Sequence, residues 1–298
     1  MNRIASLANL RKVMPQWQAK ADMLIESLAG TGPFDAVPAL AEAFPLSVFP
    51  DLIGLRKEGR ENLIPYATVA FNAFGPRNAL LAEAMDDARD ATVWVAESCH
   101  RDRLEPDGWG MQVYEAADRG ECSHDEAERL VRSFLTAGVD TTVNGIATMI
   151  KAFAAFPDQW QRLRAEPGLT KKAVEESLRW GSTVQTFFRT TARDVDVAGS
   201  TIPEGAKILL FLAAANRDPR RWDDPDRFDI GRQASGHVGF GFGIHQCLGQ
   251  MVARMETEAV INAMLPRVSE IRSAGPVRHR LNNTLHAVGA LPIDLIPA

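Results

Sequence analysis

Apolar residues recur at helical spacing near the start of the chain, at Leu7, Leu10, Val13, Trp17, Leu24 and Leu28, and the pattern stops at Gly30-Thr31-Gly32-Pro33. A second helix is predicted from Asp35 to Leu55, interrupted at Pro45 and Pro50 and closed at Gly54. Two more follow over Arg60–Phe74 and Arg77–His100, joined at the turn Gly75-Pro76, and Glu105-Pro106-Asp107-Gly108 reads as a loop. Ser123 with Glu126 three positions later makes a capping box, and the helix it opens is predicted to run unbroken to Phe156, long enough to cross the molecule. Helices are predicted at 158–165 and Thr170–Trp180. From Phe187 the pattern turns to β, with Thr190, Thr191, Val195 and Val197, a turn at Pro203-Glu204-Gly205, and the run Lys207–Leu212. A loop rich in Arg, Asp and Pro covers 216–235, the last helix covers 248–265, and short strands finish the chain. There is no internal repeat, low-complexity run or linker. The expectation is a mainly α architecture with small β regions, one domain over 1–298.

Composition narrows the classes. The 298 residues are 46% hydrophobic and 24% charged, which excludes a disordered chain, and a net charge of −5 argues against a general nucleic-acid binder. Cys99, Cys122 and Cys247 are far apart with no C-x-x-C pair, so neither a zinc site nor a disulfide framework is expected, and a reducing cytoplasm is. No apolar run reaches membrane-spanning length and no signal-peptide pattern opens the chain, so no membrane partner is expected.

The stretch carrying most chemistry is His237-Val-Gly-Phe-Gly-Phe-Gly-Ile-His245-Gln-Cys247-Leu-Gly249, which leads into the last helix. A cysteine at a helix N-terminus lies where the dipole and free N–H groups favour a thiolate. The alternating glycines allow backbone to approach something large and flat. The other reading is a buried structural cysteine after a flexible turn. Within the long predicted helix, Ala137-Gly138-Val139-Asp140-Thr141-Thr142 is a weak helix former. It is either a tolerated weak spot, its Thr hydroxyls bonding back to carbonyls, or a required local distortion. Glu176 and Arg179 face one another on a helix, which as an exposed pair would contribute only a few tenths of a kcal/mol.

Taken together, Phe240-x-x-Gly243-x-His245-x-Cys247-x-Gly249, Ala-Gly-x-Asp-Thr-Thr and Glu-x-x-Arg followed by Pro225-Asp-Arg227-Phe228 resemble the cytochrome P450 family over essentially the whole chain. The resemblance implies the P450 fold and haem b (iron protoporphyrin IX), with Cys247 as the axial thiolate ligand of the iron. It makes Phe240, Gly243 and Gly249 parts of the haem-binding loop, with Phe240 packed near the sulfur. Ala137 and Gly138 open the oxygen-activation motif, Thr141 supports bound oxygen and Asp140 admits protons. Arg189 and His245 reach the haem propionates, and His237 is either a third donor or a plain loop residue. Glu176, Arg179 and Arg227 form a buried ion network behind the loop. His100, His124, His279 and His286 remain surface or packing residues.

Within the family the chain resembles bacterial enzymes that demethylate or hydroxylate para-substituted benzoic acids such as 4-methoxybenzoate. The segments Glu42–Asp51, Phe71–Asn78 and Val184–Thr191 carry that resemblance. It implies an apolar slot of Phe71, Phe74, Val184 and Phe187 for a benzene ring, with Arg132 and Ser133 near its carboxylate. The aromatic positions read equally as core. The resemblance further implies a monomeric monooxygenase using O2 and electrons from a ferredoxin and its reductase, since no flavin or iron–sulfur motif is present. The chain departs from the family in lacking about its N-terminal quarter. Met1–Ser6 is expected to fall inside the helix over the haem's proximal side, and a truncated product is implied. The competing readings are a non-catalytic haem-binding fragment, a peroxide-driven P450, against which Asp140-Thr141 speaks, and a helical domain without cofactor.

Overall fold

The computed structural model describes residues 3–298. Helix α1 (Leu7–Leu28) is capped by Ser6, whose hydroxyl accepts the Asn9 N–H, and it buries Leu10, Trp17, Ala21 and Ile25 along one stripe. Ser6 is thus the cap of α1, while Met1 and Asn2 of the expected Met1–Ser6 stretch lie outside the described residues. The short strand β1 (Phe34–Asp35) follows, then a wider π-type turn at Val37–Glu42 that runs directly into α2 (Ala43–Ile53). Pro45 and Pro50 do not interrupt α2 as expected. Both are buried, and the helix continues past them to Gly54.

Helix α3 is Leu63–Ala73, and the stretch predicted as one helix to His100 divides into α4 (Ala79–Asp87) and α5 (Arg89–Ser98). The break is at the buried Ala88, whose φ of −109° and ψ of 20° leave the helical region. Helix α6 (Trp109–Asp118) was not predicted, although its buried Trp109, Val113 and Ala117 recur every fourth residue.

The predicted long helix is two. The capping box of Ser123 and Glu126 opens α7 (His124–Ala137), and α8 (Asp140–Ala155) begins after Gly138 and Val139. A cause of the break is visible in the packing. A Cβ on Gly138 would stand 2.0 Å from the Phe49 ring of α2, so only a bare backbone fits there. Thr141 Oγ1 then donates to the Ala137 carbonyl at 2.8 Å, and Thr142 Oγ1 to that of Gly138 at 3.4 Å.

Helices α9 (Pro157–Ala165) and α10 (Thr170–Gly181) precede the β region. There β2 (Thr186–Thr190) pairs antiparallel with β5 (Lys207–Phe211), in the register Arg189 opposite Ile208, and β3 (Val195–Val197) pairs with β4 (Ser200–Ile202). After the short α11 (Leu212–Ala215) and the Arg/Asp loop comes α12 (Gln250–Met264). It packs along α1, where Gln18 Nε2 donates to the Ala259 carbonyl at 3.2 Å. Strands β6 (Val268–Ser273) and β9 (Pro292–Pro297) complete a sheet in the order β1-β9-β6, and β7 (Arg278–Arg280) pairs with β8 (Ala287–Ala290). A cluster of buried apolar side chains runs from Leu10 to Leu295, with α8 at its centre.

Candidate active site

The Glu176–Arg179 pair is the base of the site. Both side chains are fully buried on α10, and Arg179 donates from Nε and Nη2 to the two carboxylate oxygens at 2.7 and 2.8 Å. Its remaining donors reach the carbonyls of Asn216, Pro225 and Arg227 at 2.9, 2.8 and 3.1 Å. The third member of the network is not the expected Arg227. Arg232 donates from Nε to Glu176 Oε1 at 3.1 Å, whereas Arg227 gives the network its backbone carbonyl. Both arginines lie in one irregular loop, so the spacing of the motif could not separate them. Asn216 carries the network forward, since its Oδ1 accepts the Val238 N–H at 2.8 Å and thereby holds the start of the cysteine loop.

In that loop Gly241 and Gly243 take φ of 70° and 68°, a left-handed backbone that favours glycine. The chain curls so that the Cys247 N–H bonds the Phe240 carbonyl at 2.9 Å. The Phe240 ring lies under the Arg254 guanidinium, 4.5 Å from its centroid. His237 has both ring nitrogens occupied within the protein: Nδ1 accepts the Gly239 N–H at 3.0 Å, so Nε2 carries the proton and donates to Glu175 at 3.0 Å. Of its two expected readings, third propionate donor or plain loop residue, these contacts suit the second. Burial alone would raise the Glu175 carboxyl, but its bonds from His237 and Arg254 bring it down to about 2. Glu175 and Arg254 were missed in the sequence.

Cys247 remains exposed on one side. The protein packed against its other side raises the thiol above its ordinary range, opposed by the Gly249 N–H and Arg254. His245 is exposed, and Arg189 is partly exposed and bonds only the Phe188 carbonyl at 2.8 Å. Among the described residues neither is paired with a carboxylate.

Asp140 and Thr141 are neighbours on α8 but face different surroundings, as consecutive helical residues must. Ala137 is exposed and Thr141 partly so, while Asp140 is fully buried. Asp140 Oδ1 accepts from Asn144 Nδ2 and from Arg280 Nη2, each at 2.9 Å. Burial pushes its carboxyl up, against the pull of Arg280 and Asn144. Asn144, one turn along the same helix, was legible in principle. Arg280, from β7, was not.

The four residues proposed for an apolar slot do meet. Ring centroids of Phe71 and Phe74, and of Phe74 and Phe187, are 5.7 Å apart. Val184 and Phe187 pack on the buried cluster of Phe71, Leu285 and Ala287. The carboxylate partners are not joined to them. Arg132 bonds Glu128 at 2.7 Å on its own helix and lies against the buried Cys99. Ser133 donates to the Leu130 carbonyl at 2.7 Å. Arg132 Nε is buried without a partner among the described residues, and neither side chain is joined to the aromatic group.

A helical fold holding one open cysteine at the start of a helix, backed by a buried Glu–Arg–Arg network, defines a haem-thiolate protein. The family description "Cytochrome P450" matches residues 74–270, and the chain belongs to the cytochrome P450 family. It is 53% identical to cytochrome p450 CYP199A2 of Rhodopseudomonas palustris over 299 aligned residues, covering 100% of this chain and 73% of that protein. Cytochrome P450 107B1 of Saccharopolyspora erythraea is 34% identical, over 94% of this chain and 69% of its own length. The solved structure of Mycobacterium smegmatis CYP164A2 in its ligand-free state superposes with a TM-score of 0.89 at 29% identity, covering 99% of this chain and 77% of that one. The enzyme is thus a P450 monooxygenase with haem b as cofactor, and bacterial members generally use O2 with a ferredoxin and its reductase. Among the described residues no helix is long and apolar enough to cross a membrane.

The residues present fit a haem. A thiol opens outward from a loop in which a Cβ on Gly243 would meet nothing within 4 Å, leaving room for a flat group. His245 and Arg189 supply donors without competing carboxylates, as propionates require.

Proposed function

We propose that this monooxygenase acts on a small apolar aromatic substrate, and that a para-substituted benzoate is the first to test. The observation that carries the reading is the contact of Phe71, Phe74 and Phe187, which gathers three aromatic side chains into one group against which an aromatic ring can pack. The resemblance of segments 42–51, 71–78 and 184–191 points to benzoates within that class.

When bound, the haem iron supplies dioxygen activation and transfer of one oxygen atom to the substrate, with the other leaving as water. Cys247 is the residue that would hold the iron. His245 and Arg189 would pair the propionates. Thr141, its hydroxyl turned back to the Ala137 carbonyl, is fixed in orientation at the break between α7 and α8. Asp140 is the buried acid beside it, and the two form a route for protons into the site. Phe71, Phe74, Val184 and Phe187 exclude water from the substrate.

The test is a spectral titration of the haem-loaded chain with benzoates carrying different para groups, repeated with Phe74→Ala and Phe187→Ala. Saturable binding of a para-substituted benzoate, weakened about tenfold or more by either substitution, supports the reading. Binding unaffected by both substitutions refutes the aromatic slot. A chain that takes up haem but shows no red-shifted Soret band on reduction with carbon monoxide is a non-catalytic haem-binding fragment instead, and one that takes up none is not an enzyme on its own.

A further inference from the structure

Asp140 is held unevenly. Oδ1 accepts both of the side chain's hydrogen bonds, from Asn144 and Arg280, at 2.9 Å each. Oδ2 is buried and has no partner among the described residues. A buried oxygen without a donor is costly for a carboxylate, and it is the oxygen of the pair left free to carry a proton.

The donors on Oδ1 are themselves anchored. Asn144 is fully buried, and its Oδ1 accepts the Val288 N–H of β8 at 2.8 Å. Arg280, on β7, donates from Nη1 to Thr68 Oγ1 of α3 at 2.7 Å. The pair β7–β8 thus reaches Asp140 twice, through the Arg280 side chain and through Val288 and Asn144. Arg280 is the one cation bonded to Asp140 among the described residues. The other charged group near both is Glu42, whose carboxyl burial raises, with Arg280 lowering it and Asp140 and Asp35 raising it further.

We propose that Arg280 is the positioning residue for Asp140: by holding Oδ1 it leaves Oδ2 as the oxygen that takes up and releases a proton. This rests on Asp140 serving proton delivery in the reading above. Arg280 itself touches neither substrate nor the reacting atoms. Removing its charge leaves Asp140 with burial and one neutral donor, so the acid retains its proton.

The experiment compares Arg280→Met, Arg280→Lys and Asp140→Asn in the haem-loaded chain with two readouts. One is the infrared carboxyl band of protein labelled with [13C]aspartate, assigned by its loss in Asp140→Asn. The other is peroxide released per NADH across pH in a reconstituted electron-transfer assay. Arg280→Met is expected to show a protonated Asp140 band at a pH where the parent shows carboxylate, with peroxide release raised about tenfold. Arg280→Lys, which keeps a cation, is expected to restore the parent band and most of the coupling. A purely structural role would lower thermal stability without moving the band or the pH profile, and that outcome overturns the proposal. If Asp140→Asn uncouples and Arg280→Met does not, the positioning role alone is refuted. If Asp140→Asn leaves coupling unchanged, proton delivery through Asp140 fails and the proposal with it. Should Arg280→Met not fold, Thr68→Val, which releases the other end of Arg280, carries the test: a shifted band supports the proposal and an unshifted one refutes it.

Discussion

The Cys247 loop and the Glu176–Arg179 network behind it are neighbours built on opposite principles. In the network the Glu176 and Arg179 side chains are fully out of solvent and bonded, with Arg179 reaching Glu176 and three carbonyls, and Arg232 closes it from the edge. In the loop Cys247 and His245 face outward, and Phe242 and Ile244 are 86% and 97% exposed. The network is demanded by the fold: burying those charges without partners would cost several kcal/mol each. The loop's residue types are demanded by a ligand, because the protein itself makes little use of them. Stability and chemistry are thus divided between two adjacent segments joined through Asn216.

That division makes the two regions separable by mutation. The largest effect is expected from Cys247→Ala, which should abolish the red-shifted carbon monoxide band completely. Urea unfolding of the haem-free chain should meanwhile change by no more than about 0.5 kcal/mol. A large loss of stability there would erase the contrast. Glu176→Ala should show the reverse, leaving Arg179 buried without its counter-ion and lowering unfolding stability by about 3–5 kcal/mol in denaturant titrations.

A finer cut separates the two loop arginines. Arg232→Ala removes a charged hydrogen bond to Glu176 and should cost about 1.5–3 kcal/mol. Arg227→Ala leaves the backbone carbonyl in place and should stay within about 0.5 kcal/mol. Equal losses would restore Arg227 to the network. The mildest test is pH. The Glu175 carboxyl, with an ordinary value of 4.5, lies at about 2 in the folded chain. A carboxyl depressed by folding stabilises the fold above its unfolded value. Its contribution is fully present above pH 4.5 and is lost as pH falls through about 2. Glu175→Gln should flatten the urea midpoint across that window, and an unchanged slope would show that the His237–Glu175–Arg254 contact does not stabilise the fold.

Local patterns carried most of the fold. The apolar stripe of α1, the capping box of α7, the turn at Pro203-Glu204-Gly205 and the limits of α10 and α12 all follow from residues within a few positions of one another. What the sequence did not disclose was set from elsewhere in the molecule. The break at Gly138 depends on Phe49, and Arg280 meets Asp140 across 140 positions. Within the site, the cysteine loop and the aromatic group were legible because residue type and spacing are their signal. His237 and Arg132 each have the right chemistry for a ligand and a nearer acid that engages part of it. No spacing rule reports competition from a neighbouring acid.

The contact between Phe49 and Gly138 also constrains substitution in this chain. A Cβ at position 138 would stand 2.0 Å from the tip of the Phe49 ring, so a larger residue there requires the ring to move. Two positions far apart in the chain are therefore coupled, and Gly138→Ala should be better tolerated beside a smaller residue at 49 than beside the phenyl.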